Sequence, residues 1–329
     1  MSRLLSVEFR RFAARRLTRW SCVALLLGIV AIGIGTFASS SNDVAAAHRH
    51  AARTAERFTE QQKLARQQCA AHLPPDQVDQ SCGPEEPPPP PEAFFSDPRY
   101  SFHDNVRDLV GLGCVIGSLL GLILAASLIG AEWQAGTFAS LLTWEPRRLR
   151  VAAAKVAAVV VGSLAIATVA TTLLLGAESI VAAAHGTFAT VHTDGPPQPH
   201  FAEQVWAMAG RAALVVMIVT GLGAALALLM RHTVAALGVA IGYLIVGEGI
   251  IGGLRHGDVR HHLLQSRLDA LLHGRYEWFL PTRAPDGSIG FSPDHMAVVH
   301  AFEAGIEAVV VLAVLMAIAL TILQRRDVT

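Results

Sequence analysis

The chain has 329 residues, of which 52% are hydrophobic and 16% are charged, and its mean hydropathy is +0.44. This composition excludes an ordinary soluble domain and requires a search for membrane spans. The 26 basic and 26 acidic residues balance, and no nucleic-acid partner is expected.

Six runs of roughly 18 or more mostly apolar residues are long enough for a helix to cross a bilayer. They predict spans at 20–37, 109–131, 151–184, 205–230, 233–252 and 298–323. Only Arg231 and His232 separate the fourth and fifth runs, and because about 47 residues cannot cross as one helix, we predict a hairpin. The expected fold is an all-α polytopic membrane protein.

Basic residues predict the orientation, because they concentrate on the cytoplasmic side of spans. They precede the first span, follow the second and sixth, and separate the fourth from the fifth, whereas the loop 185–204 has no lysine or arginine. Both the basic N-terminal segment 1–19 and the tail 324–329 are therefore expected in the cytosol. Segment 1–19 is partly amphipathic, which fits either a helix along an anionic inner leaflet or a plain basic flank.

Two long segments are predicted on the outer side. Segment 38–108 contains a helical pattern and then five consecutive prolines, Pro87 to Pro91, which favour a stiff polyproline II spacer. Cys69 and Cys82 lie in this segment and are expected to pair, the alternative being two free thiols. Segment 253–297 has a helical pattern at 261–272 followed by prolines that indicate turns, and its aromatic residues favour a re-entrant position near the interface.

The polar loop 132–150 lies between the second and third spans. Phe138, Leu141 and Leu142 share one face of a predicted short helix that Thr137 begins, and Pro146 ends it. We expect these apolar side chains to be exposed, which indicates contact with either the membrane surface or another protein.

This loop resembles the cytosolic loop between the second and third spans of ABC-2 type ABC transporter permeases. The matching residues are Glu132, Gly136, Thr137, Leu141, Leu142, Pro146, Arg148, Arg150 and Lys155. Six spans, cytosolic termini and the closing Arg325-Arg326-Asp327 are also similar to that family. The spacing from Pro146 to Arg148 is one residue shorter than the family pattern, and Trp144-Glu145 replaces small residues.

The resemblance implies a type V (ABC-2) exporter fold in a bacterial inner membrane, and the arginine-rich, lysine-poor composition fits a GC-rich, actinobacterium-like genome. It implies that the helix containing Phe138 is a coupling helix, which contacts a separate cytosolic ATPase present in two copies. A second permease copy, identical or homologous, would complete the transporter within membrane lipid. ATP and magnesium would belong to the ATPase and not to this chain.

The sequence lacks the motor itself. A phosphate-binding P-loop needs a lysine at the end of a glycine-rich turn, and the only lysines, Lys63 and Lys155, are not in such turns. The sequence also contains no catalytic motif, so no enzymatic activity is expected of the chain.

Several carboxylates fall within the predicted outer half of the spans. These carboxylates are expected either to line a transport path, for which Arg211 is also a candidate, or to have structural partners such as Arg211 or Arg255. They are Glu178, Glu248, Glu303 and Glu307. A role in the transport path is favoured for Glu248, and a structural role is favoured for the other three glutamates. His256, His261, His262 and His273 match no ligand motif, so a solvated helix and not a metal site is expected.

Two other functions fit the same spans. One is a membrane anchor or sensor whose outer loop binds a ligand. The other is an ion-driven transporter with Glu248 as the ion site, although no inverted repeat is evident. An ATPase encoded beside this chain would favour the exporter.

Overall fold

The computed structural model describes residues 2–71, 74, 82, 87–144, 147–190, 200–251, 263–283 and 289–325. Within these residues the α-helices are α1 (Ser2–Ala14), α2 (Arg16–Ser39), α3 (Val44–Ala70), α4 (Phe102–Gln134), α5 (Thr137–Trp144), α6 (Arg148–His185), α7 (Phe201–Met230), α8 (Thr233–Gly242), α9 (Leu264–His273) and α10 (Ala301–Arg325). A π-helix, Tyr243–Ile251, continues α8, and a 3₁₀ helix spans Pro91–Phe94.

Six of these helices are long and apolar enough to cross a membrane: α2, α4, α6, α7, α8 with its π-helical continuation, and α10. This agrees with the predicted number of spans. A turn at Arg231 separates α7 from α8, as expected for a hairpin, and Arg231 adopts the left-handed conformation that ends α7.

The chain forms two compact units. The first comprises Met1–Ile29, Val106–Leu175 and Gln198–Thr329, and the second comprises Val30–Asn105 and Gly176–Pro197.

Close helix packing forms the core of the first unit. Buried apolar side chains of α4, α6, α7 and α10 fill it, and α9 adds Ala270, Leu271 and Leu272. Glycines bring α4 against its neighbours, since a Cβ at Gly117 would lie 2.6 Å from the Cβ of Ala167 in α6. A helix that approaches this closely tolerates no side chain at that position.

A β-hairpin between α9 and α10 was not predicted. Strands β3 (Arg275–Arg283) and β4 (Ile289–His300) pair antiparallel, and the register shifts between Phe279 and Pro281. Proline has no N–H to donate to the ladder, which explains an irregularity at this place. At Pro281 and Pro293 the expected turns are thus replaced by strands, whereas Pro285 lies outside the described residues. The described part of the chain is mainly α-helical, with this small hairpin.

The second unit contains α3 and the segments that pack on it. Asp43 caps α3 by accepting a 2.7 Å hydrogen bond from the backbone N–H of Ala46. The ring of Phe95, just after the 3₁₀ helix, stacks on His48 at 4.1 Å between centroids. Short strands β1 (Tyr100–Ser101) and β2 (Gly186–Thr187) pair in parallel.

The disulfide predicted between Cys69 and Cys82 is present in this unit. Cys69 and Cys82 form a disulfide with their Cα atoms 6.0 Å apart. The bridge joins two positions that are 13 apart at the end of α3, which limits the conformations of the intervening loop in the unfolded chain.

Candidate functional site

The site begins where α4 turns into α5. Gly136 has φ +67°, a left-handed conformation that glycine adopts without strain. The hydroxyl of Thr137 then donates a 3.2 Å hydrogen bond back to the carbonyl oxygen of Glu132. The Glu-x-x-x-Gly-Thr pattern therefore has a local structural reason: the glycine reverses the chain and the threonine ties the turn to the end of α4.

The apolar face of α5 points into the protein. Phe138 is 0% exposed, stacks on Trp133 with ring centroids 4.3 Å apart, and packs with Val151 and Leu323. The expectation that Phe138 is an exposed docking residue is wrong, because the ends of α4, α6 and α10 cover it. Leu141 is half-buried against the same cluster.

Two of the predicted coupling residues, Glu132 and Lys155, are also buried. Glu132 is 9% exposed and Lys155 is 0% exposed. The Lys155 ammonium nitrogen lies 2.5 Å from Oε2 of Glu132, and Nη2 of Arg15 lies 3.0 Å from Oε1 of the same carboxylate. Each Glu132 oxygen thus has a cationic partner.

Lys155 binds a second carboxylate, from α1. Its Nζ lies 2.9 Å from Oε2 of Glu8, whose other oxygen accepts a 3.2 Å bond from Arg11. We call Arg11, Glu8, Lys155, Glu132 and Arg15 the ion cluster. Buried charges are tolerated when each has a partner of opposite sign, and the ion cluster meets this condition by joining α1, α4 and α6.

Arg15 also fixes α1 to the backbone of α4. Its guanidinium donates to the carbonyl oxygens of Ser127 at 2.9 Å and Leu128 at 3.1 Å. Phe12, one turn earlier, is buried against Gly162 of α6. Helix α1 therefore packs into the protein through Phe12 and Glu8 instead of presenting both to lipid.

The prediction of site residues missed Glu8 and Arg15. A signal for Glu8 was available, because it is the only acidic residue before Asp43 and stands among six arginines. An isolated acid in a basic segment indicates a specific cationic partner. That this partner is Lys155 depends on tertiary contacts, which the spacing of residues in the sequence does not reveal.

The outward face of this region is polar. Gln134, Thr137, Ser140, Arg147 and Arg150 are exposed, and we call them the polar face. Arg148 is half-buried and donates to the carbonyl oxygen of Leu323 at 3.3 Å, near the end of α10. The backbone of Glu145 and Pro146 and the side chain of Leu142 lie outside the described residues.

Glu248 accepts two hydrogen bonds at the start of α9. Its Oε1 accepts 2.8 Å hydrogen bonds from the hydroxyl of Tyr243 and from the backbone N–H of Gln265. The Tyr243 oxygen in turn accepts from the N–H of Leu264 at 3.1 Å. Glu248, Asp269 and Tyr276 line a pocket of about 100 Å³ beside this helix start.

Glu178 is fully buried in the second unit. Its Oε1 accepts a 3.2 Å hydrogen bond from the hydroxyl of Thr36, while Oε2 has no hydrogen bond within the described part of the chain. Burial, and then the Glu178 charge, raise the pKa of Tyr100 well above its usual value. The Tyr100 hydroxyl, although near this charge, has no hydrogen bond of good geometry to any described residue.

The other polar candidates are dispersed. Glu307 pairs with the buried Arg267 at 2.9 Å, and Glu303 is exposed. Arg211 packs over Gly274, where a Cβ would lie 2.5 Å from its guanidinium. Glu303 and Glu307, four positions apart, are neighbours on one face of α10, and neither lines the pocket that contains Glu248.

The histidines give no metal site in the described part of the chain, where no group of three potential ligands occurs. His273 pairs with Asp269 at 2.9 Å. His256, His261 and His262 lie outside the described residues.

Comparisons with protein-family models, curated proteins and solved structures found no match for this chain. The spans and their packing define its class as a multi-pass α-helical membrane protein.

Proposed function

We propose that the chain is the membrane-spanning permease subunit of an ATP-driven ABC exporter. The observation that supports this most strongly is the attachment of α5 to the spans through buried contacts. Phe138 anchors the helix in apolar packing, and the ion cluster joins the adjoining ends of α4 and α6 to α1. A force on α5 would therefore move α1, α4 and α6 together.

The contact with the ATPase would use the polar face and not the apolar face of α5. Arg147 and Arg150 are exposed and cationic, and Thr137 and Ser140 are exposed hydroxyl residues. Such a surface fits a polar groove with acidic residues on the partner. Glu132 and Lys155 would then act indirectly, by holding the helix ends that bear this face.

Transport would proceed by closure of two ATPase copies on ATP, with magnesium bound in the ATPase. The closing movement would pass through the polar face to α5 and from there to the spans. A second permease copy would supply the opposite wall of the path. The ion pairs of the cluster favour concerted movement, because α1, α4 and α6 could separate only by breaking contacts between buried charges.

The test is cross-linking between the two subunits. In a Cys22→Ser, Cys114→Ser background, Ser140→Cys should cross-link to a P-loop ATPase encoded beside this chain, with a yield that changes on ATP addition. Gln265→Cys, exposed at the start of α9, is the matched control and should not cross-link. An intact protein that cross-links to no ATPase through Ser140→Cys would contradict the proposal.

The ion-driven alternative assigned Glu248 as the ion site. The two hydrogen bonds that Glu248 accepts give the carboxylate a capping role at α9 and do not favour that alternative. Transport in vesicles that persists without ATP would nevertheless support it over the exporter.

A further inference from the structure

The four arginines from position 11 to position 19, around the junction of α1 and α2, divide into two groups. Arg11 and Arg15 are held by carboxylates of the ion cluster. Arg16 and Arg19 are exposed, and no described carboxylate lies within ion-pair distance of either. Two positive charges therefore remain available beside the start of the first span.

Arg16, Arg19 and Trp20 share one side of α2, since residues three and four apart on a helix are neighbours. Trp20 is 69% exposed, and none of the apolar window of α2 is buried within the chain. Tryptophan favours the boundary between headgroups and hydrocarbon, so this side of the helix places both guanidinium groups at the level of lipid phosphates. Arginine binds phosphate oxygens through two parallel N–H groups.

We propose that Arg16, Arg19 and Trp20 form a binding site for an anionic phospholipid. Phosphatidylcholine brings its own ammonium and has no net charge, whereas phosphatidylglycerol presents an uncompensated phosphate that complements the two arginines. The acyl chains would then lie along the unburied apolar surface of α2. The site is independent of the exporter proposal, because it requires only that α2 crosses a membrane.

The full chain in neutral detergent should be titrated with phosphatidylglycerol and with phosphatidylcholine of the same acyl chains, and retained lipid counted by native mass spectrometry. Each arginine strengthens binding to anionic lipid about fivefold, so Arg16→Gln with Arg19→Gln should weaken phosphatidylglycerol binding about 25-fold. Arg53→Gln with Arg57→Gln removes the same charge from exposed positions on α3 and should change nothing. Arg16→Lys with Arg19→Lys should retain most of the binding.

Equal retention of the two lipids by the unmodified chain would overturn the site, as would unchanged phosphatidylglycerol binding after the glutamine substitutions. If inorganic phosphate at equal concentration displaced phosphatidylglycerol, the arginines would bind only the phosphate group. That result would also overturn the phospholipid site. A change from dimer to monomer in the glutamine variant, with no loss of lipid, would assign this side of α2 to a second copy instead.

Discussion

Lys155 and Glu8, 147 positions apart in the chain, form an ion pair in which both side chains are buried. Lysine is rarely fully buried, and here the same ammonium also contacts Glu132 and lies 5.9 Å from the centre of the Phe138 ring. The Lys155 ammonium group therefore links α6 to α1, α4 and α5.

Replacing Lys155 by methionine should lower the free energy of unfolding by about 3–5 kcal/mol, because two buried carboxylates lose their shared cation. Thermal unfolding of the purified protein in detergent measures this. Lys63→Met is the matched control, since Lys63 is the other lysine and is exposed on α3, and it should change stability by less than about 0.5 kcal/mol. Equal effects of the two variants would contradict the burial of Lys155.

Phe138→Ala should cost about 3–5 kcal/mol of stability through the cavity that it leaves beside Trp133 and Leu323. Leu149→Ala, at a position that is 41% exposed in the same region, should cost much less. Comparing unfolding midpoints distinguishes a core residue from a docking residue. If the Phe138→Ala protein has unchanged stability but no longer binds an ATPase, Phe138 is an exposed docking residue after all.

The difference between these positions shows what the sequence could and could not predict. Hydropathy identified the spans because the length and apolar character of each run are local properties. The burial of Phe138 depends instead on Val151 and Leu323, and the partner of Glu8 is 147 positions away, so neither follows from helical spacing. The β3–β4 hairpin was missed because Pro281 and Pro293 indicate turns locally, while the pairing of the strands is set by tertiary contacts.

Gly117→Ala should destabilise the protein by about 1–3 kcal/mol, because the new methyl group would lie 2.6 Å from Ala167 and force α4 and α6 apart. Gly210→Ala in α7 has no neighbour within 4 Å and should be neutral or slightly stabilising. Chemical unfolding of both variants in the same detergent provides the comparison. Similar losses of stability in both variants would show that α4 and α6 are farther apart at Gly117 than they are in the structure.

Tyr100 should remain protonated to a higher pH than an ordinary tyrosine. Burial raises its pKa first, and the Glu178 carboxylate raises it further, so the folded state holds the phenolic proton that the unfolded state releases near pH 10. This contribution to stability is present below about pH 10 and is lost as the pH rises toward the folded-state pKa.

The chain has three tyrosines, so an absorbance titration can resolve Tyr100 by comparison with Tyr100→Phe. Glu178→Gln should lower the pKa of Tyr100 while leaving it above the usual value, because the charge is lost and the burial remains. A titration in which Glu178→Gln has no effect would remove the electrostatic link between the two residues.

Glu248→Ala and Glu248→Gln should separate a capping role from a transport role. Alanine removes the acceptor of the Tyr243 and Gln265 hydrogen bonds and should lower stability by about 1–2 kcal/mol, whereas glutamine keeps a carbonyl oxygen and should cost less.

If Glu248 only caps α9, the glutamine variant transports at close to the normal rate in vesicles supplied with ATP. An ion-driven carrier instead requires the charge, so its transport would be abolished by the same glutamine substitution despite a folded protein. Transport by the glutamine variant therefore distinguishes the two roles, because capping requires only an oxygen acceptor whereas ion binding requires the charge, and thermal unfolding of both variants shows that the protein is folded.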